Sequence, residues 1–109
     1  MLELQIMARM QFKLKGNVME VPVELKIKYL DRRRVDINHL LSSLDENDFD
    51  LAIKLGHQIK GNAATFEFPR IGPIGSDIEN AAKNGDKEQI RILIQKMASE
   101  IKISSQTFH

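Results

Sequence analysis

Apolar residues recur at steps of three and four along residues 48–68, and this spacing constrains the fold more than any other feature of the chain. Such steps keep side chains on one face of an α-helix. The residues that share the face are Phe49, Ala52, Ile53, Gly56, Ile59, Ala63 and Phe66. The pattern predicts a helix over residues 48–68. Asp48, or Asn47 one residue earlier, is the predicted N-cap, because either side chain can accept from free amides of the first turn.

A turn or kink and a second helix are predicted after residue 68. The residues that predict the turn are Pro69, Gly72, Pro73 and Gly75. The helix that follows has an apolar face made of Ile74, Ile78, Ala81 and Ala82. Gly85 suits the left-handed backbone position just past a helix end, so the helix is expected to stop there.

A final helix is predicted from its capping residues. Asp86 is the expected N-cap, and Gln89 three residues later completes a capping-box pattern. Its apolar face consists of Ile90, Leu93, Ile94, Met97 and Ile101. The closing "SSQTFH" is expected to be a frayed tail.

The pattern before residue 45 leaves two alternatives open. Residues 37–44 are helical in spacing, through Ile37, Leu40, Leu41 and Leu44. Between residues 21 and 30, strict alternation predicts a strand through Val21, Val23, Leu25, Ile27 and Tyr29. Steps of four and three instead predict a helix through Val23, Ile27, Leu30, Arg34, Ile37, Leu41 and Leu44. Pro22 would suit the first turn of that helix.

These elements predict an all-α fold, because three helices and a fourth in one or two pieces are joined by short connections. Short connections favour antiparallel neighbours, so the expected architecture is an up-down four-helix bundle with an extra N-terminal helix or extension. The predicted organisation is an extension over residues 1–20, either a short hairpin or disordered, a bundle over 21–103, and a flexible tail over 104–109.

Composition narrows the class of protein. A chain of 109 residues fits one domain, and 42% hydrophobic with 28% charged residues permits a compact core. A net charge of +1 does not indicate nucleic acid as a partner, and adjacent arginines at 32–34 are expected on a solvated face. The absence of cysteine excludes disulfides and thiol catalysis. No apolar run reaches the roughly 20 residues of a membrane span, so a cytoplasmic protein without a membrane partner is expected.

His57 is the candidate reactive residue. At about 100° per residue, His57 falls well away from the apolar stripe of its helix. Gly61 and Ala64 lie beside it and clear the surface, Lys54 and Lys60 flank it, and Gln58 is expected on the outermost face. One hypothesis is an exposed, nucleophilic imidazole with lysines that balance incoming negative charge. The alternative is an inert surface histidine, with Gly61 serving close helix packing.

The stretch "LGHQIKGNAATFEFPRI" resembles the signature of histidine phosphotransfer domains, in which His-x-x-Lys-Gly is followed by small residues. The downstream "IGSDIENAAKNGD" is similar to the next helix of that family, and the resemblance spans roughly residues 21–101. It favours a helix over the ambiguous residues 21–30. Glu67 is a departure, because many members have glycine there, and Pro73 blurs the start of the third bundle helix.

The resemblance implies a monomeric bundle that carries a phosphoryl group to or from an aspartate of a receiver domain or a hybrid histidine kinase. His57 would be the phosphoacceptor. Lys60, with Gln58 and Lys54, would stabilise the phosphate, while Gly61 and Ala64 would permit access. No cofactor of its own is expected, and Mg²⁺ would sit on the receiver. The chain would be a phosphoryl carrier rather than a stand-alone enzyme, without autokinase activity.

Other readings remain open. The chain could be an interaction module that docks a receiver or kinase without accepting phosphate. A metal site built from His39, His57 and His109 is disfavoured, because no His-x-x-x-His or His-Glu pairing exists in the sequence. Gly72 and Gly75 also lack the spacing and the following lysine of a phosphate-binding loop.

Overall fold

The computed structural model describes residues 14–15 and 18–108, and in this part of the chain four α-helices form an up-down bundle. The helices are α1 (Val23–Asp45), α2 (Asp50–Asn62), α3 (Ile71–Lys83) and α4 (Lys87–Gln106). Each packs on the next, and α4 returns to α1 to close the ring. The predicted all-α antiparallel four-helix bundle is confirmed.

A short antiparallel ladder precedes the bundle. Strand β1 (Leu14–Lys15) pairs with β2 (Val18–Met19), with Leu14 opposite Met19 and Lys15 opposite Val18. The rest of the predicted extension over residues 1–20, apart from the exposed Glu20, lies outside the described residues.

Residues 23–30 are helical, which settles the choice between strand and helix. The helix α1 is continuous, and the carbonyl of Pro22 accepts from the amides of Leu25 and Lys26 at its start. The predicted face is correct at Leu30 and Leu44, which are buried, but wrong at Val23 and Leu41, which are exposed. The residues that α1 buries are Tyr29, Leu30, Arg33, Asp36, Leu40, Ser43 and Leu44. Three of these are polar, so an apolar pattern alone cannot find this face.

Arg33 corrects the expectation that residues 32–34 lie on a solvated face. Its side chain is fully buried, with its guanidinium carbon 4.6 Å from the centre of the Tyr29 ring and Nη2 2.7 Å from Oδ2 of Asp36. Burial raises the pKa of Asp36 above its usual range, and Arg33 opposes that shift. A buried charge needs a partner of this kind. The ion pair therefore belongs to the packing of α1 rather than to a nucleic-acid surface.

An aromatic cluster joins α1 to the segment after α2. The Tyr29 ring stacks on Phe66 at 4.7 Å and on Phe68 at 5.7 Å, and its hydroxyl donates to Oδ1 of Asn62 at 2.6 Å. Burial raises the pKa of Tyr29 to about 12. Phe108 meets Phe68 edge-on at 6.5 Å.

The carboxyl end of the chain differs from the predicted tail. Helix α4 continues to Gln106, and Phe108 packs against the core. Residues 104–108 are therefore ordered by helix formation and aromatic contact, which corrects the expectation of a frayed end there. His109 lies outside the described residues.

Three helix ends share one hydrogen-bonding pattern. In the Schellman motif, two amides return to carbonyls five and three residues earlier, around a residue with positive φ. The positive φ falls on Asn47 (55°), Glu67 (67°) and Gly85 (65°). At the second of these turns, Phe68 donates to Ala63 and Glu67 to Ala64. The helical path predicted over 48–68 thus ends in this turn, beyond the regular helix that stops at Asn62.

The start of α3 corrects the predicted turn or kink at residues 69–75. Helix α3 begins at Ile71, so Gly72, Pro73 and Gly75 lie inside it. Pro73 is the third residue of the helix, where a backbone amide has no acceptor within the helix. The missing N–H therefore costs nothing, which explains why proline is tolerated.

The N-cap residues predicted from the sequence agree in part with those of the structure. Asp86 caps α4 by accepting from the amide of Gln89 at 3.1 Å, as predicted. Asp48 accepts from the amide of Asp50 at 3.0 Å, but the N-cap position of α2 is Phe49.

Candidate functional site

Helices α2 and α3 approach closely because two glycines face each other. A Cβ added to Gly56 would lie 2.6 Å from the carbonyl oxygen of Gly75 and 2.7 Å from the backbone nitrogen of Glu79. A Cβ added to Gly75 would lie 2.7 Å from Cγ2 of Ile59. These distances are shorter than van der Waals contact, so only glycine fits either position. The backbone of α3 is thereby brought beside the residue that follows Gly56.

That residue is His57, and the close approach pairs it with a carboxylate of α3. Nδ1 of His57 lies 3.2 Å from Oε2 of Glu79. The same oxygen lies 3.2 Å from Nζ of Lys83, one turn further along α3. The Glu79 side chain is 8% exposed, whereas that of His57 is 71% exposed. One edge of the imidazole is therefore held by a buried carboxylate, while most of the ring faces solvent.

Glu79 is the ionisable group of this site with a resolved shift. Burial raises its pKa, but hydrogen bonds and charges from Lys83 and His57 outweigh that effect, so the pKa of Glu79 lies below its usual range. The carboxylate is therefore ionised at neutral pH and accepts hydrogen bonds from both neighbours.

The predicted surface glycine is open. A Cβ added to Gly61 would meet no atom of the described chain within 4 Å, and Ala64 is exposed. Gly61 therefore does not serve helix packing, which removes that alternative for this residue. Close packing is served by Gly56 instead.

The predicted phosphate-stabilising residues do not all lie together. Lys54 and Lys60 are exposed on α2, one turn either side of His57. Gln58 does not lie on the outermost face, as expected, but is half-buried, and its Oε1 is buried without a hydrogen-bond partner in the described chain. Gln58 lies one turn before Asn62, which bonds Tyr29 of α1. It therefore lies toward α1, and its role as a phosphate ligand stays a prediction.

A family model for the Hpt domain matches residues 24–104 of the chain. This match covers all four helices as far as Ser104. The chain belongs to the Hpt family. Its role is therefore phosphotransfer-related and lies in two-component signalling, where Hpt domains interact with receiver domains and kinases. Comparison with curated proteins and with solved structures finds no match.

The described residues also bear on the alternatives of a metal site and a membrane span. Within residues 14–15 and 18–108, no cluster of three or more His, Cys, Asp or Glu side chains is placed to hold a metal ion. His39 lies on α1, apart from the α2–α3 site of His57. None of the helices described has the length and apolar character needed to cross a membrane.

Two site residues of the Hpt domain were missed by sequence reasoning. The absence of a local His-Glu motif hid the pairing of His57 with Glu79, which are 22 positions apart. A signal existed, because Glu79 lies four residues after the buried Gly75 and next to the buried Ile78. A carboxylate on the packed face of a helix needs a partner on the neighbouring helix. Lys83, four residues further on, follows as its second partner.

Proposed function

We propose that this Hpt domain is a phosphorelay intermediate, in which His57 accepts a phosphoryl group and exchanges it with an aspartate of a receiver domain. The observation that carries the proposal is the contact of 3.2 Å between Nδ1 of His57 and Oε2 of Glu79, on a side chain that remains 71% exposed. One ring nitrogen is held and the other is left to react.

The contact with Glu79 selects the reactive nitrogen. An ionised carboxylate only accepts hydrogen bonds, so in the neutral ring the proton is placed on Nδ1. The lone pair then resides on Nε2. Glu79 is in this proposal a positioning residue, because it orients the ring without touching the phosphoryl group.

The transfer step needs no proton relay. The Nε2 lone pair of His57 attacks the phosphorus of an aspartyl phosphate, the P–N bond forms, and the P–O bond to the aspartate breaks. The aspartate leaves as a carboxylate. The ring keeps its proton on Nδ1 and becomes a phosphorylated imidazolium, whose positive charge Glu79 stabilises. The reverse steps return the phosphoryl group to an aspartate.

Charge stabilisation is the main demand of phosphoryl transfer, and lysines meet it. Lys54 and Lys60 on α2 and Lys83 on α3 are exposed around His57. Lys83 is held at Glu79, the residue that contacts the His57 ring. We expect the receiver to supply the aspartate and Mg²⁺, so the chain acts as a phosphoryl carrier rather than as a complete enzyme. We expect a monomer in the cytoplasm.

The test is labelling by a phosphorylated receiver in the presence of Mg²⁺. A profile against the receiver domains of the source organism first identifies the one that transfers fastest. We expect an acid-labile, base-stable label on the domain, and its complete loss in His57→Gln. The matched control is His39→Gln, which removes an exposed histidine from α1 and should be labelled like the wild type.

Two outcomes would contradict the proposal. Labelling of His57→Gln at the wild-type level would place the phosphoryl group elsewhere. Tight receiver binding without any label on the wild-type domain would instead support the alternative, an interaction module that does not accept phosphate.

A further inference from the structure

A shallow depression lies between α2 and α3 on the same side of the bundle as His57. It has a volume of about 360 Å³. The residues that line it are Lys60, Ala64, Pro69, Gly72, Pro73 and Ser76. Apart from Lys60 and Ser76, these side chains are apolar or absent. An apolar depression on an exposed surface is a place where a partner's side chain can be desolvated.

The depression is close enough to His57 to share one interface. Lys60 follows His57 by three positions, which is about 4.5 Å along the axis of α2, and Ala64 lies in the turn that directly follows the helix. On α3, Ser76 comes three positions before Glu79. A typical interface covers about 800 Å² on each partner, which is a disc of about 16 Å radius. A receiver interface of this size centred on His57 would therefore cover the depression as well.

The depression is already formed without a partner. Pro69 and Pro73 have fixed φ angles, and Pro73 is built into the first turn of α3. A Cβ added to Gly72 would lie 3.6 Å from Cβ of Ala63, so the backbone of α3 sits against α2 at this point. A preformed cavity loses little conformational entropy on binding.

The positive charge around the depression indicates which side chains a partner would place there. Lys60 stands at the rim, is exposed, and forms no ion pair within residues 18–108. Lys54 is also exposed nearby, so the surface around His57 favours an acidic partner. The matching group is an apolar side chain to fill the depression, with a carboxylate next to it to reach Lys60.

We propose that this depression receives one apolar side chain from the receiver domain, and that its two prolines restrict which receivers fit. The inference rests on the proposed phosphotransfer function. It also assigns a role to Pro73, because proline at this position shapes a wall of the depression.

The experiment fills the depression and compares the result with a matched groove. Ala64→Trp and Ser76→Trp each place an indole in the depression. The control is Ala98→Trp, since Ala98 is an exposed alanine in a groove between α1 and α4 with a volume of about 400 Å³. The probe is the receiver that transfers fastest in the profile. We expect its dissociation constant to rise about tenfold or more for both depression variants and to stay within about twofold for Ala98→Trp.

Phosphoramidate, a small donor that needs no docking surface, separates this inference from the proposed function. We expect it to phosphorylate Ser76→Trp, a substitution on α3, at the wild-type rate, and His57→Gln not at all. Receiver affinity in both depression variants equal to that of Ala98→Trp would overturn the inference and leave the phosphoacceptor role intact. Loss of phosphoramidate labelling in Ser76→Trp would also overturn it, because the substitution would then act on His57 itself.

The occupant can then be found on the receiver. Apolar side chains around its aspartate are replaced by alanine one at a time. One of them should weaken binding to the wild-type domain and have no further effect on Ala64→Trp. Additive effects for every such residue would contradict an apolar occupant.

Discussion

Gly56 and Gly61 lie five residues apart on α2, and the two serve opposite purposes. A Cβ on Gly56 would strike the backbone of α3 at 2.6 Å, whereas a Cβ on Gly61 would meet no described atom within 4 Å. Gly56 removes bulk so that two helices can touch. Gly61 leaves a surface bare beside His57. The same residue type in one short segment therefore builds the site at one position and opens it at the other.

The comparison shows that the packed side of α2 determines the chemistry of the exposed side. His57 is exposed, but its orientation depends on Glu79, and Glu79 reaches it because Gly56 and Gly75 let the helices meet. A substitution in the packed contact should therefore affect both stability and reactivity. A substitution at Gly61 should leave the packing unchanged.

The largest expected effect is that of Gly56→Ala. The added methyl group forces α2 and α3 apart or displaces the carbonyl of Gly75, and we expect the free energy of unfolding to fall by about 3 kcal/mol. Urea denaturation monitored by circular dichroism measures this loss. Gly75→Ala should cost a similar amount, because its methyl group would overlap Ile59. Unchanged urea midpoints in both variants would contradict the close contact.

The next effect concerns the carboxylate that this contact positions. Glu79→Gln keeps a hydrogen-bond acceptor but removes the charge, and we expect phosphorylation of His57 by phosphoramidate to slow about tenfold. ¹⁵N chemical shifts of the His57 ring report the proton position, and we expect the share of rings protonated on Nδ1 to fall. Asp77→Asn removes an exposed carboxylate from the same helix and is the matched control. Equal rates and ring shifts in wild type and Glu79→Gln would show that Glu79 does not position the ring.

Gly61→Ala gives a smaller effect of the opposite sign on stability. The new methyl group projects into open space, and alanine is favoured over glycine inside a helix by about 1 kcal/mol. We therefore expect the urea midpoint to rise, while phosphotransfer from the receiver slows because bulk is added beside His57. A lower midpoint would mean that Gly61 also serves packing, and the contrast with Gly56 would fail.

The sequence predicted the helices well because their apolar residues recur at the helical steps of three and four. It also indicated that His57 is exposed, since this depends only on which face of α2 the residue occupies. It did not predict the buried face of α1, where Arg33 and Asp36 compensate each other's charge inside the core. A pattern of apolar residues cannot show such a pair, because each charge is buried only when its partner is present.

The sequence places Glu79 next to the predicted core residue Ile78, but for a related reason it could not identify His57 as the partner of Glu79. The contact depends on the distance between two helices, and Gly56 and Gly75 set that distance jointly. Either glycine alone is also compatible with a turn, a surface gap or a helix end. Only the placement of one against the other distinguishes these possibilities.

The smallest expected effect is at Glu67, where the backbone favours glycine and the sequence has none. Glu67 has a φ of 67° in a Schellman turn after α2, and Gly85 occupies the equivalent position in the turn after α3. Its carboxylate pairs with Lys26 of α1, but the Glu67 side chain is 39% exposed, so the pair contributes little.

Replacing Glu67 by glycine relieves the strain of the left-handed backbone, but the flexibility of glycine in the unfolded chain partly offsets this gain. We expect Glu67→Gly to raise the free energy of unfolding by about 0.5 kcal/mol. Glu67→Ala is the control that loses the ion pair but keeps the strain, and it should be about 1 kcal/mol less stable than Glu67→Gly in urea denaturation. Equal stability of the two variants would show that the left-handed backbone at position 67 is not strained.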